Sequence, residues 1–148
     1  MTARGALIKP WLFSELLTGY WDITAEERLA LYRRYTTLAL EHWGDDEHGR
    51  TRARDFLRWH AGFWCRYVPR RDDGTWPSMQ QREVTAHPRS ALEALLARTD
   101  DPGLDYVTDE LLNGGDLDAP PPIPAPSLET RDARDTRDTR VEDAVVAG

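Results

Sequence analysis

Apolar and polar positions along the chain follow a helical period, and no stretch alternates strictly enough to predict a strand. The strongest pattern lies within Gly49–Arg71, where Ala53, Phe56, Leu57, His60, Ala61, Trp64, Tyr67 and Val68 recur at i, i+3, i+4 and i+7. That spacing puts them on one face of a helix. Arg52, Arg54, Arg58 and Arg66 fall around the other face, with Trp59 among them. Pro69 cannot continue the pattern, so the helix is predicted to stop near Val68.

Upstream, Thr24 and Glu27 have capping-box spacing and open a helix carrying Leu29, Tyr32, Leu38 and His42 as far as about Trp43, where Gly44 is placed to end it. An acidic, flexible loop over 44–49 then joins two long helices, which are expected to pair antiparallel. Nearer the N-terminus, Arg4-Gly5 predicts a turn, and Pro10 a short helix to about Leu17 with Gly19 after it. Beyond Pro69 the chain reads as an irregular connection. Leu92, Leu95 and Leu96 then mark a helix over about 88–98, and Leu104, Val107, Leu111 and Leu112 mark another, closed by Gly114-Gly115. The fold class expected is mainly α.

Charge changes this picture by its distribution. The net charge of -7 divides into 15 basic against 14 acidic residues over 1–100 and 4 against 12 over 101–148. The acid excess is a property of the C-terminal third and leaves room for a basic surface before it. From Asp116 the composition turns proline-rich (119–126) and then repeats Arg-Asp (131–140) with no apolar face. Such a tail buries too little to offset its ordering entropy and is expected to be disordered. The 148 residues contain one cysteine, no run long enough to span a membrane, and no apolar signal segment. A soluble cytoplasmic protein is the expectation.

Candidate chemistry is sparse. His42, His48, His60, His87 and Cys65 make no metal-ligand spacing, so no metal is expected. His60 reads as a packed or hydrogen-bonded core residue and Cys65 as a small buried thiol, with no base at hand to activate it. Asp45, Asp46 and Glu47 read as a solvated loop. The Arg4-Gly5 turn is an ordinary N-terminal turn that could also cradle a phosphate. In the central stretch, seven arginines face one acid, Asp55, beside several aromatics. Phosphate contact with base stacking and a plain solvated helix face are equally compatible with that composition.

Taken together, the words ARGALIKPWLF (Ala3–Phe13), WDITAEERL (Trp21–Leu29), LEHWGDDEHG (Leu40–Gly49) and FLRWHAGFWCRYVP (Phe56–Pro69) resemble the C-terminal part of a tRNA-dihydrouridine synthase, of the eukaryotic type that modifies a variable-loop uridine. LEALLA (Leu92–Ala97) and DELLNG (Asp109–Gly114) match more weakly, so the resemblance covers about Ala3 to Gly114. It implies the last turn of an FMN-binding β/α barrel over 1–20, a helical tRNA-binding domain over 21–115, and an unmatched tail over 116–148. By the same resemblance Ala3, Arg4 and Gly5 would contact the flavin phosphate, and Arg52, Arg54, Arg58 and Arg66 would contact tRNA. Arg58 stands where the family has an apolar residue, and His60 where the nearest relatives have tryptophan.

The reaction so implied is reduction of a tRNA uridine to dihydrouridine, with FMN passing a hydride from NADPH. The barrel and its general-acid cysteine would precede Ala3. Cys65 matches a different cysteine, within the helical domain. No catalytic residue is therefore assigned here, and the chain alone is expected to be inactive unless a separate chain supplies the barrel. A stand-alone RNA-binding module and an inert gene remnant are the alternatives.

Overall fold

A computed structural model describes residues 3–70, 73–75 and 88–125. Among these residues it contains helices α1 (Ala3–Ile8), α2 (Leu12–Thr18), α3 (Ala25–Trp43), α4 (Glu47–Trp64), α5 (Ala91–Leu96) and α6 (Asp101–Asn113), and no strand. Most of the connection between Pro69 and Pro88, the last residue of the proline-rich run, and the Arg-Asp repeat lie outside the described residues.

Helix α3 begins as its sequence predicts. The Thr24 hydroxyl accepts from Glu27 N–H, and the Glu27 carboxylate accepts from Thr24 N–H at 2.8 Å. Gly44, at φ 93°, ends it. The loop to α4 is shorter than expected and contributes to the structure. Asp46 caps α4 by accepting from Gly49 N–H, and Asp45 pairs with Arg50.

The two helices pair antiparallel: the α3 start meets the α4 end through Arg28 and Trp64, and the α3 end meets the α4 start at Gly49 and its middle through Trp43 and Phe56. Small residues on α4 permit this approach. Gly49, Ala53 and Ala61 lie on its buried face with Leu57 and Trp64.

Helix α4 stops at Trp64 instead of Val68. Val68 precedes Pro69, and the residue before a proline is disfavoured in α conformation. In a longer helix the Trp64 carbonyl would accept from Val68 N–H. Here it accepts from Tyr67 N–H and from Arg28 Nη2, each at 3.2 Å. Arg28 is 1% exposed and also lies over the Tyr67 ring at 4.7 Å, so its charge rests on the negative end of α4 and on an aromatic face. Tyr67 is thereby turned onto Trp11, with ring centroids 4.8 Å apart. Burial raises the Tyr67 phenol above its ordinary range.

The N-terminal segment departs most from expectation. The predicted Arg4-Gly5 turn is the helix α1, and α2 begins at Leu12 instead of Pro10. Pro10 occupies a turn closed by Leu12 N–H to the Lys9 carbonyl, where its fixed φ suits the second position. Trp11, 3% exposed, packs with Ile23 and Tyr67 in a small second cluster, so its partners come from the helical body. Phe13, Leu16 and Leu17 on α2 are exposed apolar residues of this segment.

Helices α5 and α6 close the main core, in which Leu95, Leu96, Leu104, Val107 and Leu111 meet Tyr32, Leu57, Ala61 and Trp64. Ser90 caps α5, which is shorter at both ends than predicted. Arg89 ties its start to the link before α3, reaching Asp22, the Ile23 carbonyl and Glu93. The expected change is not seen at Asp116. Leu117 is buried in the core at φ 58°, Ala119 N–H donates to Tyr106 Oη, and Arg98 donates to the carbonyls of Pro121 and Pro122.

Asp100 caps α6 by accepting from Gly103 N–H, and it pairs with Arg98 at 2.6 Å. Arg98 chiefly, helped by Gly103 N–H, holds the Asp100 carboxyl at about 2, against the raising effect of burial. A depressed folded-state pKa stabilises the fold above the unfolded value, about 4, and that contribution is lost as pH falls toward 2. Asp100→Asn keeps a capping oxygen but loses the charge. It is expected to cost about 1 kcal/mol at neutral pH, screened by nearby solvent, and to flatten the acid limb of stability between pH 4 and 2. Urea melts at pH 7, 4 and 2.5 check this; an unchanged acid limb would remove Asp100 from the account.

Candidate nucleic-acid interface

Helix α4 presents four faces, and the arginines predicted as one group divide between two of them. Ala53, Leu57, Ala61 and Trp64 enter the core. Phe56 and His60 lie toward α3, where Phe56 meets Trp43 at 5.3 Å and His60 meets Tyr35 at 5.6 Å. His60 Nδ1 is 2.8 Å from the Phe56 carbonyl, and its ring packs among Phe56 and Trp64. That is a packed histidine. No group of three or more metal-ligating side chains occurs among the described residues.

The third face meets α6, which runs antiparallel to α4. Arg50 donates to Asp45 and Asn113; Arg54 Nε donates to Asp109 at 2.7 Å; Arg58 donates to Asp105 at 2.8 Å and to Asp101 at 2.7 Å. Hydrogen bonding to Asp109 is the main cause of a raised Arg54 pKa. Arg54 and Arg58, expected to face RNA, are therefore engaged in holding two helices in register. The signal was present in the sequence. Arginines at 50, 54 and 58 and aspartates at 101, 105 and 109 share a four-residue spacing, which lines up when the two helices run in opposite directions.

Helix α1 also packs against α4, and the fourth face carries residues left exposed among the described residues. Arg52 is exposed on it and Arg66 in the turn just past the C-terminal end of α4, and neither is ion-paired among the described residues. Between them lie Trp59, 55% exposed, and Phe63, their rings 4.7 Å apart and inclined at 60°. The Arg66 guanidinium stands over Phe63 at 5.3 Å. Seven residues separate Trp59 from each arginine, about 10 Å of helix on the Arg52 side. Asp55 shares this face and reduces its net charge. Sequence reasoning placed Trp59 here but missed Phe63, whose outward position follows from the same i+4 step.

The predicted flavin-phosphate residues do not form a site by themselves. Arg4 and Gly5 are exposed on α1. A Cβ on Gly5 would meet Leu12 Cδ2 at 3.7 Å, an ordinary contact, so packing among the described residues does not demand glycine there. Ala3 begins the same helix. A cavity of about 10 Å³ lined by Tyr32, Trp64, Leu95, Leu104 and Val107 has room for about one water, far too little for a flavin ring. Cys65 is buried, with its thiol donating to the Gly62 carbonyl at 3.4 Å. The described residues thus do not fit FMN alone. No helix among them is long and apolar enough to cross a membrane.

No family model matches the chain, and no solved structure matches it. Curated relatives do. The chain is 53% identical over 70 residues to the mouse tRNA-dihydrouridine(47) synthase NAD(P)(+)-like protein, covering 47% of this chain and 11% of that protein. It is 44% identical over 98 residues to the tRNA-dihydrouridine(47) synthase (NAD(P)(+)) of Aspergillus oryzae, covering 65% and 13%. With the enzyme of the same name from Saccharomyces cerevisiae it shares 41% identity over 102 residues, covering 68% and 15%. The chain therefore spans 11–15% of the length of these relatives. On these similarities, the chain resembles the C-terminal part of eukaryotic tRNA-dihydrouridine(47) synthases.

Proposed function

We propose that this chain is the tRNA-binding part of a tRNA-dihydrouridine synthase, with residues 21–115 as the binding domain and α4 as its RNA-facing helix. The carrying observation is the open face of α4, where Arg52 and Arg66 flank Trp59 and Phe63 while the α6 aspartates engage Arg54 and Arg58. Unpaired arginines suit phosphates, and exposed aromatics suit bases. Of the four predicted RNA contacts, Arg52 and Arg66 stay in this role; Arg54 and Arg58 support the helix that carries them.

Residues 1–20 are assigned to the junction with the flavin-binding part of the enzyme. There Arg4, beside Ala3 and Gly5, could add one positive charge to a phosphate held mainly by other segments. The overall reaction would be NADPH-driven, FMN-dependent reduction of a tRNA uridine. The cavity beside Trp64 is too small for a flavin and Cys65 is buried, so no chemical step is assigned to the described residues.

The test is tRNA binding by the purified 148-residue protein across a salt series, without flavin, together with an assay for dihydrouridine in the presence of FMN and NADPH. The expected result is salt-sensitive binding, with log affinity falling linearly against log salt, and no dihydrouridine. Salt-independent or absent binding would overturn the tRNA assignment, and product formation would overturn the division of labour.

A further inference from the structure

Trp59 is exposed at a position where packing does not require a tryptophan. The outward face of a helix ordinarily carries polar residues, and a large ring left more than half in water gains little from burial. The ring is nevertheless held. Phe63 packs on it at 4.7 Å and 60°, His60 meets it at 4.9 Å and 78°, and Arg66 lies over Phe63 at 5.3 Å. Held aromatic area that stays exposed is preorganised for a flat partner, because little rotamer freedom remains to be lost on contact.

We propose that Trp59, backed by Phe63 and Arg66, is a stacking platform for one unpaired RNA base. The α4 face then discriminates loop or single-stranded nucleotides from duplex. This rests on the reading above that α4 meets RNA, and it names the part of the RNA that it meets. A paired base lies within the helical stack and offers only its edges, whereas an unpaired base exposes a π-face that any aromatic ring can take. Arg52, about 10 Å of helix away, and Arg66 on the other side are placed for the flanking phosphates, which both kinds of RNA possess. Charge on this face therefore supplies general affinity, and Trp59 supplies the preference.

The experiment measures binding of the whole 148-residue protein to two labelled probes by fluorescence anisotropy: a 12-nucleotide oligouridylate and a 12-base-pair RNA duplex. Wild type, Trp59→Ala and Trp59→Phe are compared, with circular dichroism confirming equal helix content. The expected result is a loss of about ten-fold or more for oligouridylate in Trp59→Ala, less than about two-fold for the duplex, and substantial recovery in Trp59→Phe. If the wild type binds but Trp59→Ala weakens both probes equally or neither, the platform is overturned while the RNA-binding reading stands. Wild type that binds neither probe nor tRNA overturns both.

Discussion

Trp64→Ala is expected to destabilise the fold by about 3–5 kcal/mol, enough to unfold a large share of a small domain at 37 °C. Trp64 is 2% exposed and is the ring on which α3, α4 and the α5–α6 pair converge. It stacks on Tyr32 with centroids 4.0 Å apart and planes 7° from parallel, and it meets Tyr35 edge-on at 5.3 Å. The small cavity beside it would merge with the space the indole leaves. Its neighbours on α4 are held by helix geometry and cannot collapse into that space. Trp64→Phe should cost less, because it keeps a stacking ring and removes an indole N–H that has no acceptor among the described residues. Urea unfolding followed by circular dichroism measures both. A loss below about 1 kcal/mol for the alanine variant would show that Trp64 is not the centre of the core.

Gly49→Ala is the second large expectation, and it acts through the main chain. A Cβ at Gly49 would lie 2.2 Å from the Gly44 carbonyl oxygen, 2.5 Å from that of Trp43 and 2.7 Å from the Gly44 carbonyl carbon. These are backbone atoms at the end of α3, fixed by the Gly44 N–H bond to the Leu40 carbonyl. No side chain can rotate away. Either α4 moves off α3 or the Asp46 cap on Gly49 N–H opens. The helix preference of alanine, about 1 kcal/mol, is outweighed, and a net loss of about 3 kcal/mol is expected. Gly62→Ala is the internal control. It lies in the same helix with nothing within 4 Å of the added methyl, so it should stabilise by about 0.5–1 kcal/mol. Thermal melts of the two variants should move in opposite directions; a shift of the same sign in both would contradict the close-approach argument.

The contrast between these two glycines shows what the sequence could and could not reveal. Helix boundaries were legible where the signal is local: Thr24 and Glu27 cap each other within four residues, and Gly44, Gly19 and Gly114 end helices at positive φ. The end of α4 was not legible from its apolar stripe. Tyr67 fits the stripe but is drawn to Trp11, and Arg28 takes the Trp64 carbonyl, both across long sequence separations. Pro10 was misplaced because a proline suits a helix start and a turn equally well.

The arginines teach the same lesson about the candidate site. Their number on α4 suggested one RNA-facing surface. Only the position of α6 separates Arg54 and Arg58, bound to its aspartates, from Arg52 and Arg66, which are not. Exposed pairs of this kind contribute only about 0–1 kcal/mol each, so the seam fixes register more than it adds stability.

The most direct measurement is the salt dependence of tRNA affinity for two double variants of the whole chain. One is Arg52→Ala with Arg66→Ala, which strips the open face. The other is Arg54→Gln with Asp109→Asn, which removes a seam pair while preserving shape. The account predicts that the first lowers affinity and reduces the magnitude of the log–log salt slope by about 1.5–2, while the second leaves the slope unchanged. An unchanged slope in the first variant, with a reduced slope in the second, would contradict the account and return the RNA contacts to the arginines of the α4–α6 seam.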